Sequence, residues 1–319
     1  MRSQVFLVIS LILMSFALFG CGGNQSAMDK SPYIGGTNGL LVSFMDSFPP
    51  DSVFDGGTDP FDIVVNLKND GEWDIPAGEV IVRISGIDAT QFGLAEGIMK
   101  NVITSPIASK KKGSEGNTIP GDEIGAEFKG FNQVTPLTGT MAFPLRADVC
   151  YSYGTTATTN LCYRKDLRTT ESGVCKVEES KKVFNSGAPV QVTDLQEFPK
   201  GSDGISFTFT VALKGNGLVF KDTVQDCTDA TRTDKGWVYV DVKTDLQGLT
   251  CRGLRDASGG SSTGTTTAGY ARLADGKAII QCDQAANVDT DFVRPLNIYL
   301  KYKYSDDVSS TLVVKHAAE

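Results

Sequence analysis

The chain has 319 residues, with 38 Asp and Glu against 30 Lys and Arg and one His, for a formal net charge of −8 at pH 7. That balance repels a phosphate backbone and excludes nucleic acid as a partner. Gly is abundant at 34 residues, and with frequent Thr, Val and Asp this is the composition of short strands joined by turns.

The first element is a leader. Met1-Arg2-Ser3-Gln4 gives a short positive start, and residues 5–19 form an apolar run interrupted by Ser10 and Ser15. The run is shorter than the roughly 20 residues a spanning helix needs, and it ends in the small Gly20, as a signal peptide does. Leu18-Phe19-Gly20-Cys21 resembles the lipobox of bacterial lipoproteins, which also occurs in some archaea, although Phe19 stands where that pattern prefers a small or β-branched residue. The resemblance implies a signal peptide over 1–20 and a diacylglycerol on Cys21, which becomes the first residue of the mature chain. Stable anchoring takes at least two acyl chains, such as palmitate, and lipoprotein processing supplies two or three. A plain secretory signal and an uncleaved anchor helix are the alternatives; each also leaves the chain outside the cytoplasm. Residues 21–37, which include Gly22-Gly23, Pro32 and Gly35-Gly36, read as a flexible polar linker. Asn24-Gln25-Ser26 within it matches a glycosylation acceptor.

Strand patterns follow. Phe61, Ile63, Val65 and Leu67 alternate with Asp62, Val64, Asn66 and Lys68, and Asn69-Asp70-Gly71 ends the run. Period two predicts one buried face. A second strand places Val80, Val82 and Ile84 inward, with Arg83 and Ser85 outward. The plan recurs downstream: residues 208–217 align with 62–71, matching Val65 to Val211, Leu67 to Leu213, Lys68 to Lys214 and Gly71 to Gly217. Each copy is followed by a further strand, at 79–85 and at 237–242. Residues 143–153 and 155–164 predict a hairpin, 270–273 and 278–282 another, and 296–304 and 311–315 a last one with Asp306-Asp307 in its turn. Residues 89–100 are the one stretch that suits a short helix. The expected fold is all-β: two tandem immunoglobulin-like antiparallel β-sandwiches, over 38–187 with a long loop insertion and over 188–319.

Cys150, Cys162, Cys175, Cys227, Cys251 and Cys282 remain after Cys21, and an even number in an exported chain reads as disulfides. Zinc is disfavoured by the lack of a C-x-x-C pair and by the single His. A boundary near Gly187 leaves three cysteines on each side. Three is odd, so complete pairing requires at least one bridge between the halves. Cys162–Cys175, Cys251–Cys282 and Cys150–Cys227 is one such set among the 15 that six cysteines allow.

Candidate chemistry is sparse. Gly260-Ser-Ser-Thr-Gly264 matches G-x-S-x-G with Ser262 as nominal nucleophile, but it sits in a low-complexity loop and its only available base is His316, near the end of the sequence. Asp51, Asp55, Asp59 and Asp62 could hold a structural calcium, and Asp283, Asp289 and Asp291 form a second acidic stretch; neither has EF-hand spacing. No other cofactor is expected. Lys110-Lys111-Lys112 is a basic run in a solvated loop. Trp73 and Trp237 are candidates to stack on sugars, but Trp237 heads a strand and is expected in the core.

The strand ending Leu67-Lys68-Asn69-Asp70-Gly71, followed by Ala77-Gly78-Glu79-Val80, resembles CARDB-type immunoglobulin-like domains. The second half, from Val211 to Leu296-Asn-Ile-Tyr-Leu-Lys-Tyr-Lys-Tyr304, is similar to Ig-like exported archaeal proteins. The likeness spans about half the mature chain and omits 87–139. It implies a surface setting and supplies no catalytic residue. The expectation is a non-enzymatic, membrane-anchored module that binds a protein partner at the cell surface, an exposed sheet edge being the natural docking place. A structural unit of a surface layer or filament, and a carboxylate-dependent hydrolase, are the alternatives.

Overall fold

A computed structural model describes residues 30–167, 174–255, 264–285 and 287–317. The expected signal peptide, Cys21, Asn24 and Ser262 lie outside the described residues. Among the described residues the chain is all-β, with nineteen strands and a 3-10 turn at Glu96–Met99. The helix expected over 89–100 is confined to that turn. Gly93, at φ +72°, takes a backbone conformation that does not continue a helix.

In chain order the first strands are β1 (Leu40–Phe44), β2 (Ser52–Phe54), β3 (Phe61–Asn69), β4 (Val80–Ser85), β5 (Lys100–Ile103), β6 (Lys111–Lys112), β7 (Thr118–Ile119), β8 (Glu123–Phe131) and β9 (Met141–Tyr163). Then come β10 (Glu179–Lys181), β11 (Phe184–Asn185), β12 (Val190–Lys200), β13 (Gly204–Leu213), β14 (Leu218–Phe220), β15 (Trp237–Lys243), β16 (Leu249–Arg252), β17 (Thr266–Arg272), β18 (Lys277–Ala285) and β19 (Phe292–Lys315). They form a three-stranded sheet β1-β3-β8, a five-stranded sheet β10-β12-β13-β18-β16, a small β6-β7 pair, and a nine-stranded sheet. The last runs β17-β15-β19-β9-β4-β5, with β11 on β9 and both β14 and β2 on β19. Pairing is antiparallel throughout, except between β2 and β19.

Two long strands organise the molecule. β9 and β19 pair continuously, from Met141 opposite Val314 to Tyr163 opposite Phe292. The hairpin expected at Gly154 is therefore one strand. Leu145, Ala147, Val149, Tyr151 and Tyr153 continue as Thr155, Ala157, Thr159, Leu161 and Tyr163, all on one buried face. Gly154 serves close packing instead of a turn: a Cβ there would come within 2.7 Å of the Trp73 ring. The turn expected at Asp306-Asp307 is also absent. Asp307 faces Asp148 across the ladder, and Arg146 bridges both carboxylates at 3.2 and 2.7 Å, which relieves the like-charge pair. The third expected hairpin parts as well: β17 joins β15, whereas β18 joins β13 and β16 in the other sheet.

The two halves keep the recurring plan. β3 is central in its sheet, with Val65 between Phe44 of β1 and Ala126 of β8. β13 is central in the other, with Val211 between Val192 of β12 and Ala278 of β18. The following strands, β4 and β15, both join the nine-stranded sheet, β4 on β9 and β15 on β19. One end of the β9–β19 ribbon faces the three-stranded sheet, where Phe92 packs edge-on against Phe61 of β3 and Phe143 of β9. The other end faces the five-stranded sheet, where the Cys162 amide donates to Glu197 of β12.

Pro32–Glu319 is accordingly one compact unit, and the expected boundary at 187/188 does not part it. Residues 305–315, assigned by sequence to the second sandwich, pair with residues 141–150 in the wall of the first. The expected linker is shorter too. The Glu72 carboxylate accepts backbone amides of Ile34, Gly35 and Gly187 at 2.7–3.0 Å, which fixes the stretch around Gly35-Gly36 to the folded unit.

Candidate functional site

Three disulfides join Cys150 to Cys227, Cys162 to Cys175 and Cys251 to Cys282, across sequence separations of 77, 13 and 31. Bridges of this number belong to an oxidising, extracytoplasmic setting. No helix among the described residues is long and apolar enough to cross a membrane. The Cys150–Cys227 bridge ties the loop before β15 to β9. Beside it Asp226, 4% exposed, holds Lys100 at 2.8 Å and Arg83 at 3.0 Å. Burial alone would raise the Asp226 carboxyl, yet hydrogen bonds from Lys100, Thr228 and Arg83 hold it far below the ordinary range.

The acidic loops do not gather into a metal centre. Among the described residues no group of three or more His, Cys, Asp or Glu could hold a metal ion. Asp55 accepts amides from Leu137 and Ala317 and contacts His316 Nδ1 at 2.9 Å. His316, near the end of the sequence, is thus fixed. Asp59 accepts from the Phe54 amide and Asp62 from the Gly130 amide. Asp51 is exposed, and its carbonyl accepts from the Val313 amide where β2 meets β19. A cavity of about 560 Å³ beside this loop is lined in part by Phe48, Phe61, Asp59 and Asp62. In the second stretch Asp283 binds Lys200 at 2.7 Å and Asp291 binds Arg164 at 3.3 Å. In the basic run, Lys110 pairs with Asp70 and Lys111 with Asp74, so these charges support the fold of their loop.

A different constellation stands on the outer face of the nine-stranded sheet. β15 alternates: Val238, Val240 and Val242 are fully buried, leaving Trp237, Tyr239, Asp241 and Lys243 on the opposite face. Pairing sets Arg272 of β17 opposite Trp237, and Tyr270 of β17 and Lys301 of β19 on either side of Tyr239. Tyr299 of β19 lies opposite Asp241. Tyr239 and Tyr270 meet edge-on at 5.4 Å between centroids.

Three cations converge on the indole of Trp237. Lys221 Nζ lies 5.4 Å from the ring centroid, and the guanidinium carbons of Arg255 and Arg272 each lie 5.5 Å from it. Trp237 is 8% exposed, buried as expected but on the outer face beneath its cations and not within the main core, and its Nε1 donates to the Thr233 carbonyl at 2.8 Å. Arg255 and Arg272 are exposed. Nearby carboxylates have other partners: Asp222 accepts from the Tyr270 hydroxyl at 2.6 Å and Asp234 from Thr231. Among the described residues, Lys221, Arg255, Arg272 and Lys301 have no carboxylate within ion-pair distance. Sequence reading found Trp237 but not its cations. They come from three separate places in the chain: the β15–β17 register sets Arg272, a bridge to Tyr270 sets Arg255 after β16, and a backbone bond to Asp234 holds Lys221 after β14.

No protein-family model matches the chain, and no curated protein matches it. Solved structures with a weak likeness include two from bacteria. The secreted serine protease VesC from Vibrio cholerae is 11% identical, with a TM-score of 0.18, over 83% of this chain and 50% of that one. The serine-rich repeat protein Srr2 from Streptococcus agalactiae is 8% identical, with a TM-score of 0.15, over 86% of this chain and 91% of that one. The chain thus spans half the length of the protease, and at these TM-scores neither likeness carries an argument about this chain.

Proposed function

We propose that this protein is an extracytoplasmic lipoprotein, held on its membrane by lipid on Cys21, whose folded part acts as a non-enzymatic binding module of CARDB-like, immunoglobulin-related ancestry. The observation that carries the reading is the outer face of the nine-stranded sheet, where Lys221, Arg255 and Arg272 surround Trp237 and, among the described residues, have no carboxylate within ion-pair distance. Exposed charge clustered on an aromatic support serves recognition better than stability, because the like charges repel one another until an anionic partner neutralises them. The disulfides and the β9–β19 ribbon support the same reading, since a rigid frame lowers the ordering entropy lost on binding.

Crosslinking on intact cells, followed by mass spectrometry of what the protein brings with it, tests the role. A stoichiometric foreign partner is the expected result. Crosslinks only between copies of the chain would replace this reading with a structural unit of a surface layer or filament. Mass spectrometry of the mature amino-terminal peptide tests the anchor: a diacylglycerol thioether on Cys21 is expected, and Cys21→Ala should release the protein from the membrane fraction.

A further inference from the structure

Resting on the binding-module reading, we infer that the Trp237 face of the nine-stranded sheet binds an acidic saccharide, a chain of sugars bearing carboxylate groups. The cations give the charge. Lys221, Arg255 and Arg272 crowd one ring, and Lys301 stands across from Tyr239, in a chain whose net charge is −8. A local surplus of cations on an acidic protein selects an anion from solution and steers it to one face.

Arginine selects an oxyanion with two acceptor oxygens side by side, as a carboxylate offers. A guanidinium presents a planar fork that matches a carboxylate, and contact with the indole restrains that fork before the ligand arrives. Trp237 therefore positions the two arginines and is not itself the stacking platform, because its ring is 8% exposed and its faces are taken.

Tyr239 and Tyr299 favour a saccharide over an acidic peptide. Both rings are half-buried on the same outer face, one row apart on neighbouring strands. Tyr239 offers apolar ring surface with a hydroxyl rim, which suits the face of a sugar ring, and beside it Lys243 lies 5.1 Å over the Tyr299 ring. An extended peptide would add to a sheet edge through backbone hydrogen bonds, whereas these rings lie inward of the β17 edge, on strands already paired on both sides.

The test uses the full chain purified in detergent and polygalacturonate as probe, with dextran as an uncharged saccharide and poly-glutamate as an acidic peptide. Polygalacturonate should bind with an affinity that falls as salt rises, while dextran should not bind. Arg255→Ala/Arg272→Ala should weaken binding at least about tenfold, the order expected for losing charge-assisted bidentate contacts. Both arginines are exposed, so an unchanged Tm should confirm that the variant is folded. Lys221→Ala, at a third position around the ring, should also weaken binding. Absence of polygalacturonate binding, or full affinity in both variants, overturns the inference. Equal affinity for poly-glutamate overturns the saccharide assignment in favour of an acidic peptide. If the crosslinked cell-surface partner is still captured by Arg255→Ala/Arg272→Ala, the binding-module reading survives the failure of this one.

Discussion

Tyr151 and Tyr302 perform the same task in opposite halves of the molecule. The hydroxyl of Tyr151 accepts the Leu40 amide at 3.1 Å where β1 begins, and that of Tyr302 accepts the Val190 amide at 3.3 Å where β12 begins. Each opens a Tyr-x-Tyr motif, and the two motifs pair antiparallel: Tyr302 faces Tyr153, Lys303 faces Ser152, and Tyr304 faces Tyr151. The second tyrosines correspond as well. Tyr153 donates to Asn69 Oδ1 beside Gly71, and Tyr304 accepts the Gly217 amide at 2.7 Å. The internal similarity seen at Gly71 and Gly217 thus extends into the shared ribbon, with Ser152 and Lys303 at its approximate two-fold axis.

That equivalence predicts matched effects. Tyr151→Phe and Tyr302→Phe each remove the acceptor of a buried amide while keeping the ring in the core. Each should lower stability by about 1–3 kcal/mol, the usual penalty for a buried unsatisfied donor. Urea unfolding of both variants checks this. A loss at one position with none at the other would break the equivalence.

The disulfides should rank by the loop each closes. For loops of 77, 31 and 13 residues, chain entropy gives about 4.5, 3.7 and 2.9 kcal/mol. Replacing Cys150 and Cys227 by Ala should therefore destabilise most, and replacing Cys162 and Cys175 least. Tm values of the three paired variants test the order. The first pair also releases the loop that carries Asp226 from β9, which reinforces its rank.

What the sequence made legible, and what it hid, divides along one physical line. Alternation set the inward faces of β3 and β4 correctly, because a face pattern depends only on the pleat. Cysteine parity required a bridge across Gly187, and Cys150–Cys227 crosses it. The ends of strands were misread wherever a turn residue had another use. Gly154 makes room for Trp73, and Asp307 engages Arg146, so glycine and aspartate signalled turns inside two unbroken strands. With those turns went the domain boundary. The Trp237 cluster was invisible for a related reason: its cations are brought together by backbone pairing between segments that are not adjacent in the chain.

Glu197 predicts a pH dependence near neutrality. It is 1% exposed, receives the Cys162 amide at 3.0 Å and sits 3.0 Å from Lys181. Burial pushes its carboxyl from 4.5 up to about 7, against the pull of Lys181. The native state therefore keeps a proton that the unfolded chain releases. Stability should fall as pH rises from about 4.5 through about 7 and level off above. A shift of this size corresponds to on the order of 3 kcal/mol. Urea midpoints across that window should decline in the wild type, and Glu197→Gln should flatten the slope.

Asp55 predicts the opposite slope in acid. Amides of Leu137 and Ala317, then His316, hold its carboxyl down from 3.8 to about 2. A depressed carboxylate stabilises above its unfolded value, and that contribution is lost as pH falls through the folded one. Unfolding midpoints should therefore drop between about 3.8 and about 2. Asp55→Asn should remove that component of the drop. It should also loosen residues 313–317, where β19 meets β2, giving faster amide exchange there.

The shared ribbon predicts that neither half folds alone. A fragment of residues 38–187 contains β9 but no β19, so the edge of β9 that β19 covers from Met141 to Tyr163 is left open, while β4 and β11 hold only parts of the other edge. Its inner tyrosines would lose the packing that buries them, Tyr151 against Tyr304 and Tyr163 against Phe292. A fragment of residues 188–319 keeps β19 but lacks β9, and Cys227 lacks Cys150. Each fragment, expressed separately, should give the narrow amide dispersion of an unfolded chain or aggregate through its open strand. Mixed in equal amounts under refolding conditions, they should recover a dispersed spectrum as β9 and β19 re-pair. A well-dispersed, cooperative spectrum from either fragment alone would show that the sandwiches are independent domains joined by an exchange of strands, and that the ribbon fastens them without being required to fold them.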